Sequence, residues 1–174
     1  RRRDALGKVK LLLPPVIGAV VVRSFLVSTL TTYLPTFLSE EGVSLFFAGA
    51  SLSFVEAAGV VGVLLGGSLS DRLGRRAVLL TSMVMSPPLM FAFLRADGWL
   101  RGPLLLLLGF TVLALGPVIL ALVHETFVEN RALVNGVYMA FSFMVRSGAT
   151  LVLGVLGDRF SLRSAFSFSA VVPL

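Results

Sequence analysis

Apolar residues in this chain run on far beyond the length that a core strand or helix needs, and polar residues gather in short breaks between the runs. Six runs read as helices, at about 12–38, 43–69, 77–94, 102–123, 132–156 and 164–174. A bilayer's hydrocarbon core asks for roughly 20 apolar residues per helix. The first five runs fall in that range, and the sixth stops at Leu174 and reads as incomplete. The pattern predicts an all-α membrane protein, with a basic loop at 1–10 and a six-span bundle over 11–174. Pro14 and Pro15 fit the entry turn of the first span and Pro35 lies near its exit. Pro87–Pro88 interrupt the third span, and Gly116–Pro117 predict a kink in the fourth. In the second span Ala58, Gly62 and Gly66 recur every four positions on one face. That spacing lets helix backbones approach closely where lipid gives no hydrophobic drive to associate.

The breaks carry the charge that the spans exclude. Arg1–Lys10 holds five Lys/Arg against Asp4, and Ser39–Gly42 is an acidic turn with Glu40 and Glu41. Gly66–Arg76, GGSLSDRLGRR, passes from close-packing glycines to an aspartate and three arginines. Arg95, Asp97 and Arg101 surround the single tryptophan, Trp99, at an interfacial position. His124–Arg131 and Gly157–Arg163 complete the set. One side of the membrane collects Arg1, Arg2, Arg3, Lys8, Lys10, Arg72, Arg75, Arg76 and Arg131; the other collects Arg95, Arg101, Arg159 and Arg163. This excess places the N-terminal end and GGSLSDRLGRR in the cytoplasm, with the chain in the cytoplasmic (inner) membrane.

Composition agrees. Charged residues make up 14% and apolar ones 56%, with a mean hydropathy of +0.96, where a soluble domain carries about 25% charged residues. Without cysteine there is neither a disulfide framework nor a thiolate metal site. The net charge of +6 sits in clusters between spans, a pattern of membrane orientation rather than a nucleic-acid footprint. No signal peptide is visible, and both ends read as cut.

An internal echo organises the spans. Gly67-Ser-Leu-Ser-Asp71-Arg72 after the second span matches Gly154-Val-Leu-Gly-Asp158-Arg159 after the fifth. Two units of three spans follow. An odd number of spans per unit inverts the second unit, so the copies belong at opposite faces. A plainer reading is that such a sequence simply ends a helix well. GGSLSDRLGRR resembles the signature loop of the major facilitator superfamily, Gly-x-Leu-x-Asp-Arg-x-Gly-Arg-Arg. Gly67, Asp71, Arg72, Gly74, Arg75 and Arg76 stand at its positions, and Gly154, Asp158 and Arg159 at those of the repeat. PVILALVHETFVENRALVNGVYMAF and GDRFSLRSAF further resemble fosmidomycin-resistance-like efflux members. The resemblance implies the C-terminal half of a transporter, helices seven to twelve in an inverted 3+3 repeat, with the twelfth truncated and the N-terminal half as its missing partner. It also implies that the signature loop acts as an interhelical latch, with its counterpart mostly in the missing half.

Arg23, Glu56 and Arg146 fall well inside spans. A central arginine costs about 2.5–3.5 kcal/mol, so each should face a cavity or a partner. At 1.5 Å per residue, Arg23 and Glu56 come to similar depth from opposite ends, roughly 16 and 18 Å in. Spans one, two and five are thereby expected to share a wet face. Arg23 and Glu56 admit two readings: a static buried pair, or a proton-exchanging Glu56 with Arg23 and Arg146 attracting an anion. Tyr138 on the fifth span is a candidate substrate contact or an ordinary packed aromatic, and Asn135 and Tyr33 are further polar handles. His124–Glu125 does not continue to HExxH, since Val128 stands where the second histidine belongs. His124 reads as an interfacial polar residue. No cofactor is implied, and no cluster at catalytic spacing points to an enzyme. The expected function is a proton-coupled exporter of a small, anionic solute or drug, with protons and the lipid bilayer as its other partners. A sensor on the same scaffold, a uniporter and an organophosphate exchanger are the alternatives.

Overall fold

The computed structural model describes the backbone of residues 2–126 and 131–173, and the side chains of 14–125 and 132–173. Arg1, the middle of the 124–131 break and Leu174 lie outside the described residues. The described chain is helical throughout. Its elements are α1 (Arg2–Ser28), a π-helical turn (Thr29–Tyr33), α2 (Leu34–Glu40), α3 (Leu45–Leu73), α4 (Arg75–Arg95), a 3-10 turn (Gly98–Leu100), α5 (Arg101–Leu113), α6 (Leu115–Thr126), α7 (Arg131–Arg159) and α8 (Leu162–Val171). Five stretches are long and apolar enough to cross a bilayer: Pro14–Glu40, Leu45–Leu73, Arg75–Arg95, Gly98–Glu125 and Ala132–Arg159. Large apolar side chains such as Phe46, Leu64, Leu80 and Leu151 are exposed on the bundle's outside.

The prolines behave differently from one another. α1 starts at Arg2, so residues 2–10 are helical rather than the expected loop, and Pro14 and Pro15 lie inside the helix instead of at its entry. Helix-favouring Arg, Ala, Leu and Lys fill the extra turns. α4 likewise continues through Pro87 and Pro88 rather than stopping there. Pro35 cannot donate to the Thr31 carbonyl, and the helix widens to the π-turn immediately before it. Span four breaks at Ala114, between α5 and α6, where Pro117 cannot donate to the Leu113 carbonyl.

Spans two and four meet almost backbone to backbone. A Cβ on Gly62 would stand 2.5 Å from the Phe110 carbonyl oxygen, and one on Gly109 would stand 2.4 Å from that of Val55. Gly59 receives the Leu113 side chain and Gly66 faces Ala114 Cβ. The contact face is therefore Val55, Gly59, Gly62 and Gly66. Gly59 takes the place expected for Ala58, which lies half-buried at its edge. α1 packs on α7 as α3 packs on α5, and α4 packs on α8. Exchanging the first three spans for the last three maps the first contact onto the second.

Ion pairs show which ends lie together. At one end Arg75 Nε donates to Glu125 Oε1 at 2.7 Å, joining α4 to α6. At the other, Glu41 accepts from Arg101 and, at 3.2 Å, from Arg163, while Arg163 also reaches the Leu94 carbonyl. Beneath that cluster Phe37, Phe93 and Phe166 are fully buried against one another, with Phe37 and Phe166 stacked at 4.5 Å. The first Gly-x-Leu-x-Asp-Arg copy belongs to the Arg75 end and the second, just before Arg163, to the Glu41 end. The two copies therefore stand at opposite ends of the bundle.

The α3–α5 contact gives a prediction. Gly62→Ala puts a Cβ against backbone that cannot swing aside, and should destabilise by about 1–3 kcal/mol. Gly67→Ala, with nothing within 4 Å, should be close to neutral. Thermal unfolding of the two variants in the full-length protein separates them; equal effects would mean that the helices do not meet at Gly62.

Candidate functional site

Three spaces follow one another along α7. The middle one, about 270 Å³, holds Arg23 and Ser24 from α1, Gly116 and Leu120 from α6, and Tyr138, Ser142 and Arg146 from α7. Two guanidinium groups thus share one small cavity that no carboxylate among the described residues lines. The Nε of Arg23 and the Oγ of Ser142 are both buried there without a hydrogen-bond partner. Among the described residues Arg23 has no ion pair. Its guanidinium lies against Gly116, where a Cβ would come within 2.9 Å of Nη2. Span four is therefore part of this site through the absence of a side chain.

Arg146 is held from the opposite direction. Its Nη2 donates to Thr31 Oγ1 at 2.9 Å. Thr150 Oγ1 bonds the Arg146 carbonyl at 2.9 Å and lies 3.0 Å from Ser28 Oγ. Tyr33 Oη donates to the Thr150 carbonyl at 2.7 Å. Ser28 and Tyr33 are five residues apart, a spacing that an α-helix turns by about 140° from coincidence. The intervening π-turn brings both onto the face that meets α7. Gly154 completes this seam, since a Cβ there would stand 2.7 Å from Tyr33 Oη.

The flanking spaces differ in character. Beyond Arg146, an open space of about 480 Å³ is lined by Phe143, Ser147, Thr150 and Leu151 as well as Arg146. Before Tyr138, a groove of about 360 Å³ runs between α1 and α7, with Val123 of α6 at its side, and among the described residues Tyr138 carries its one polar side-chain atom.

Sequence expectation and structure part company in several places. The Arg23–Glu56 pair is not formed: Glu56 is exposed on α3 and has no ion pair among the described residues. The cavity is built from spans one, four and five rather than one, two and five. Asn135 is half-buried on α7 and lines none of the three spaces. His124 is half-buried, its Nε2 without a partner. GGSLSDRLGRR is hardly a loop, because α3 runs through Asp71 and Arg72 to Leu73 and α4 starts at Arg75. Gly74 alone makes the turn, at φ 90°. Asp71, Arg72 and Arg76 are exposed. Arg75 finds its partners inside this chain, Glu125 and, at 3.5 Å, Asp71. In the second copy Gly154, Asp158 and Arg159 all lie within α7.

Other participants left weaker traces in the sequence. Gly116 beside Pro117 reads as a kink, and only the fold shows that it also makes room for Arg23. Ser28, Thr31 and Thr150 are ordinary polar residues whose convergence depends on the π-turn.

Residues 16–174 match the profile of the Major Facilitator Superfamily. The chain is similar to a fosmidomycin resistance protein of Escherichia coli, at 24% identity over 169 residues, 97% of this chain and 42% of that protein. It is 31% identical over 141 residues to an MFS-type efflux pump of Mycolicibacterium smegmatis, covering 75% of this chain and 33% of the pump. An uncharacterized MFS-type transporter of Bacillus subtilis is 28% identical over 116 residues, 67% of this chain and 28% of the relative. The chain thus spans less than half the length of each.

The Tyr33–Gly154 contact predicts coupling between two substitutions. Gly154→Ala should destabilise by about 1–3 kcal/mol through overpacking against the hydroxyl. Once Tyr33→Phe has removed that hydroxyl, Gly154→Ala should cost only a few tenths. A double-mutant cycle on thermal or denaturant unfolding measures the difference; simple additivity would place Tyr33 away from Gly154.

Proposed function

The chain belongs to the major facilitator superfamily, and from that premise we propose that it forms one half of a secondary transporter that exports a small anionic solute by alternating access, driven by protons. One observation carries the anionic part: half-buried Arg23, its Nε buried without a partner, shares a cavity with Arg146 that no carboxylate among the described residues lines. Arginine in a membrane span costs about 2.5–3.5 kcal/mol when nothing offsets it. A bound anion supplies the missing charge, with hydrogen bonds from both guanidinium groups and from the Ser142 and Tyr138 hydroxyls. Arg146 is held by Thr31, whereas Arg23 has no ion pair among the described residues.

Glu56 takes the proton-exchanging role in this reading. It lies within a span, and no arginine among the described residues pairs with it. Its position outside the arginine cavity keeps the proton and the anion on separate side chains. Asn135, one turn from Tyr138 on α7, would stand along the route into the site. The rest of the pathway would come from the other half of the protein, since the relatives extend well beyond the matched region. Gly67, Gly74, Asp71, Arg72 and Arg76 frame the turn at which Arg75 grips Glu125, and we assign that pair to a latch that releases as its end of the bundle opens. An exposed pair of this kind is worth only about 0–1 kcal/mol, little enough to be exchanged within a transport cycle. The Arg75 end would face the cytoplasm and the protein the inner membrane, and no bond of the solute is made or broken.

Flux through the full-length protein in proteoliposomes with an imposed pH gradient tests the reading. Fosmidomycin, the compound in one relative's name, is the first solute to try. Arg23→Ala and Arg146→Ala should each weaken solute binding at least about tenfold, the loss of a charged hydrogen bond. Glu56→Gln should abolish gradient-driven flux while leaving solute exchange in place. Unaltered binding in both arginine variants would remove the anion site, and unaltered driven flux in Glu56→Gln would remove its proton role.

A further inference from the structure

The groove beside the arginine cavity suggests what kind of anion is carried. Its walls are Val16, Ile17 and Val20 of α1 and Val134, Val137 and Phe141 of α7, among others, and it encloses about 360 Å³. Tyr138 lines this groove and the arginine cavity alike, so the two spaces abut at one side chain. They occupy successive turns of the same two helices: Val20 is followed by Arg23, and Phe141 by Ser142 and Arg146. Among the described side chains water would find only the Tyr138 hydroxyl to bind there, and a water molecule needs two to four polar partners to settle. Left empty, the space forfeits dispersion contacts along its whole lining.

We infer that the solute is amphiphilic, with its anionic head between Arg23 and Arg146 and an apolar tail lying toward Val137 in the groove between α1 and α7. The inference rests on the anion-export reading above and narrows it. Charge selects the head and the dry groove selects the tail. Tyr138 stands at their junction, its ring against the tail and its hydroxyl toward the head. From Tyr138 to Arg146 is about 12 Å along the helix at 1.5 Å per residue, so a single elongated molecule can span the two. A free lipid acyl chain could enter the same groove, but would leave the arginine pair without its anion.

Calorimetric titration of the full-length protein in lipid nanodiscs decides the matter, with protein-free discs as the correction for partitioning. The probes are 1-alkanesulfonates from methanesulfonate to octanesulfonate, which stay charged at any working pH, and 1-alkanols of matching length. Affinity should rise about fourfold per methylene over the first several carbons, the gain for burying a CH₂, and then level off. The alkanols should show no such saturable gain. Val137→Trp, which narrows the groove, should bring octanesulfonate down to the affinity of methanesulfonate. Sulfonates that bind with no dependence on length would overturn the amphiphilic solute while leaving the anion site standing. No binding at any length would overturn both. An equal gain for the alkanols, or a gain that persists in Val137→Trp, would assign the tail to lipid or to another surface and overturn the inference.

Discussion

The bundle depends on the near-contact of two backbones, those of α3 and α5. Between apolar helices in lipid there is no water to expel, and association must come from close packing. Gly62 and Gly109 remove the side chains that would hold the backbones apart. The consequence reaches the site. Gly59 and Gly66 seat Leu113 and Ala114, the last residues before span four breaks. That break sets the start of α6, and with it Gly116, against which Arg23 lies. A glycine stripe on one helix thereby positions an arginine two helices away.

The two ends of the bundle are fastened unequally. The Glu41 end has one carboxylate bridging two arginines from different helices, over three buried phenylalanines. Among the described residues the Arg75 end has one exposed pair, Arg75 with Glu125, helped by Asp71. Burying Arg101 commits its charge to Glu41, because removing one partner of a buried pair leaves the other uncompensated. Exposed pairs carry no such penalty. Among the described residues, the ties of the Arg75 end are the ones that exchange at little cost.

Much of this was legible in the residues. Run lengths gave the spans, and the Gly-x-Leu-x-Asp-Arg echo gave two units whose copies stand at opposite ends. Depth along each helix set Arg146 nearer the outer half than Arg23, yet the two line one cavity. Azimuth was the weak point. Arg23 and Glu56 were matched by depth, but depth says nothing about which way a side chain points, and Glu56 lies on a face of α3 outside the arginine cavity. Charge was also a poor guide to which spans build that cavity. Span four carries no charge within its length and contributes through Gly116, a residue whose effect is room. Glu41, Arg101 and Arg163 were visible as turn charges, yet their mutual distance depends on how three separate helix ends come together.

One inserted residue explains why span one can serve two neighbours at once. The turn at Thr29–Tyr33 is a residue wider than a regular helical turn, and it rephases everything beyond it by close to 100°. Before the turn, Ala19, Val20 and Leu26 are inward; beyond it, so are Leu34, Phe37 and Leu38. Closing that turn to a plain α-helix with every residue kept rotates the second set away from Phe93 and Phe166 and takes Tyr33 off Gly154. Span one therefore has a fixed phase between Arg23 and Phe37, set by one turn in a stretch whose composition alone would pass for interchangeable hydrocarbon.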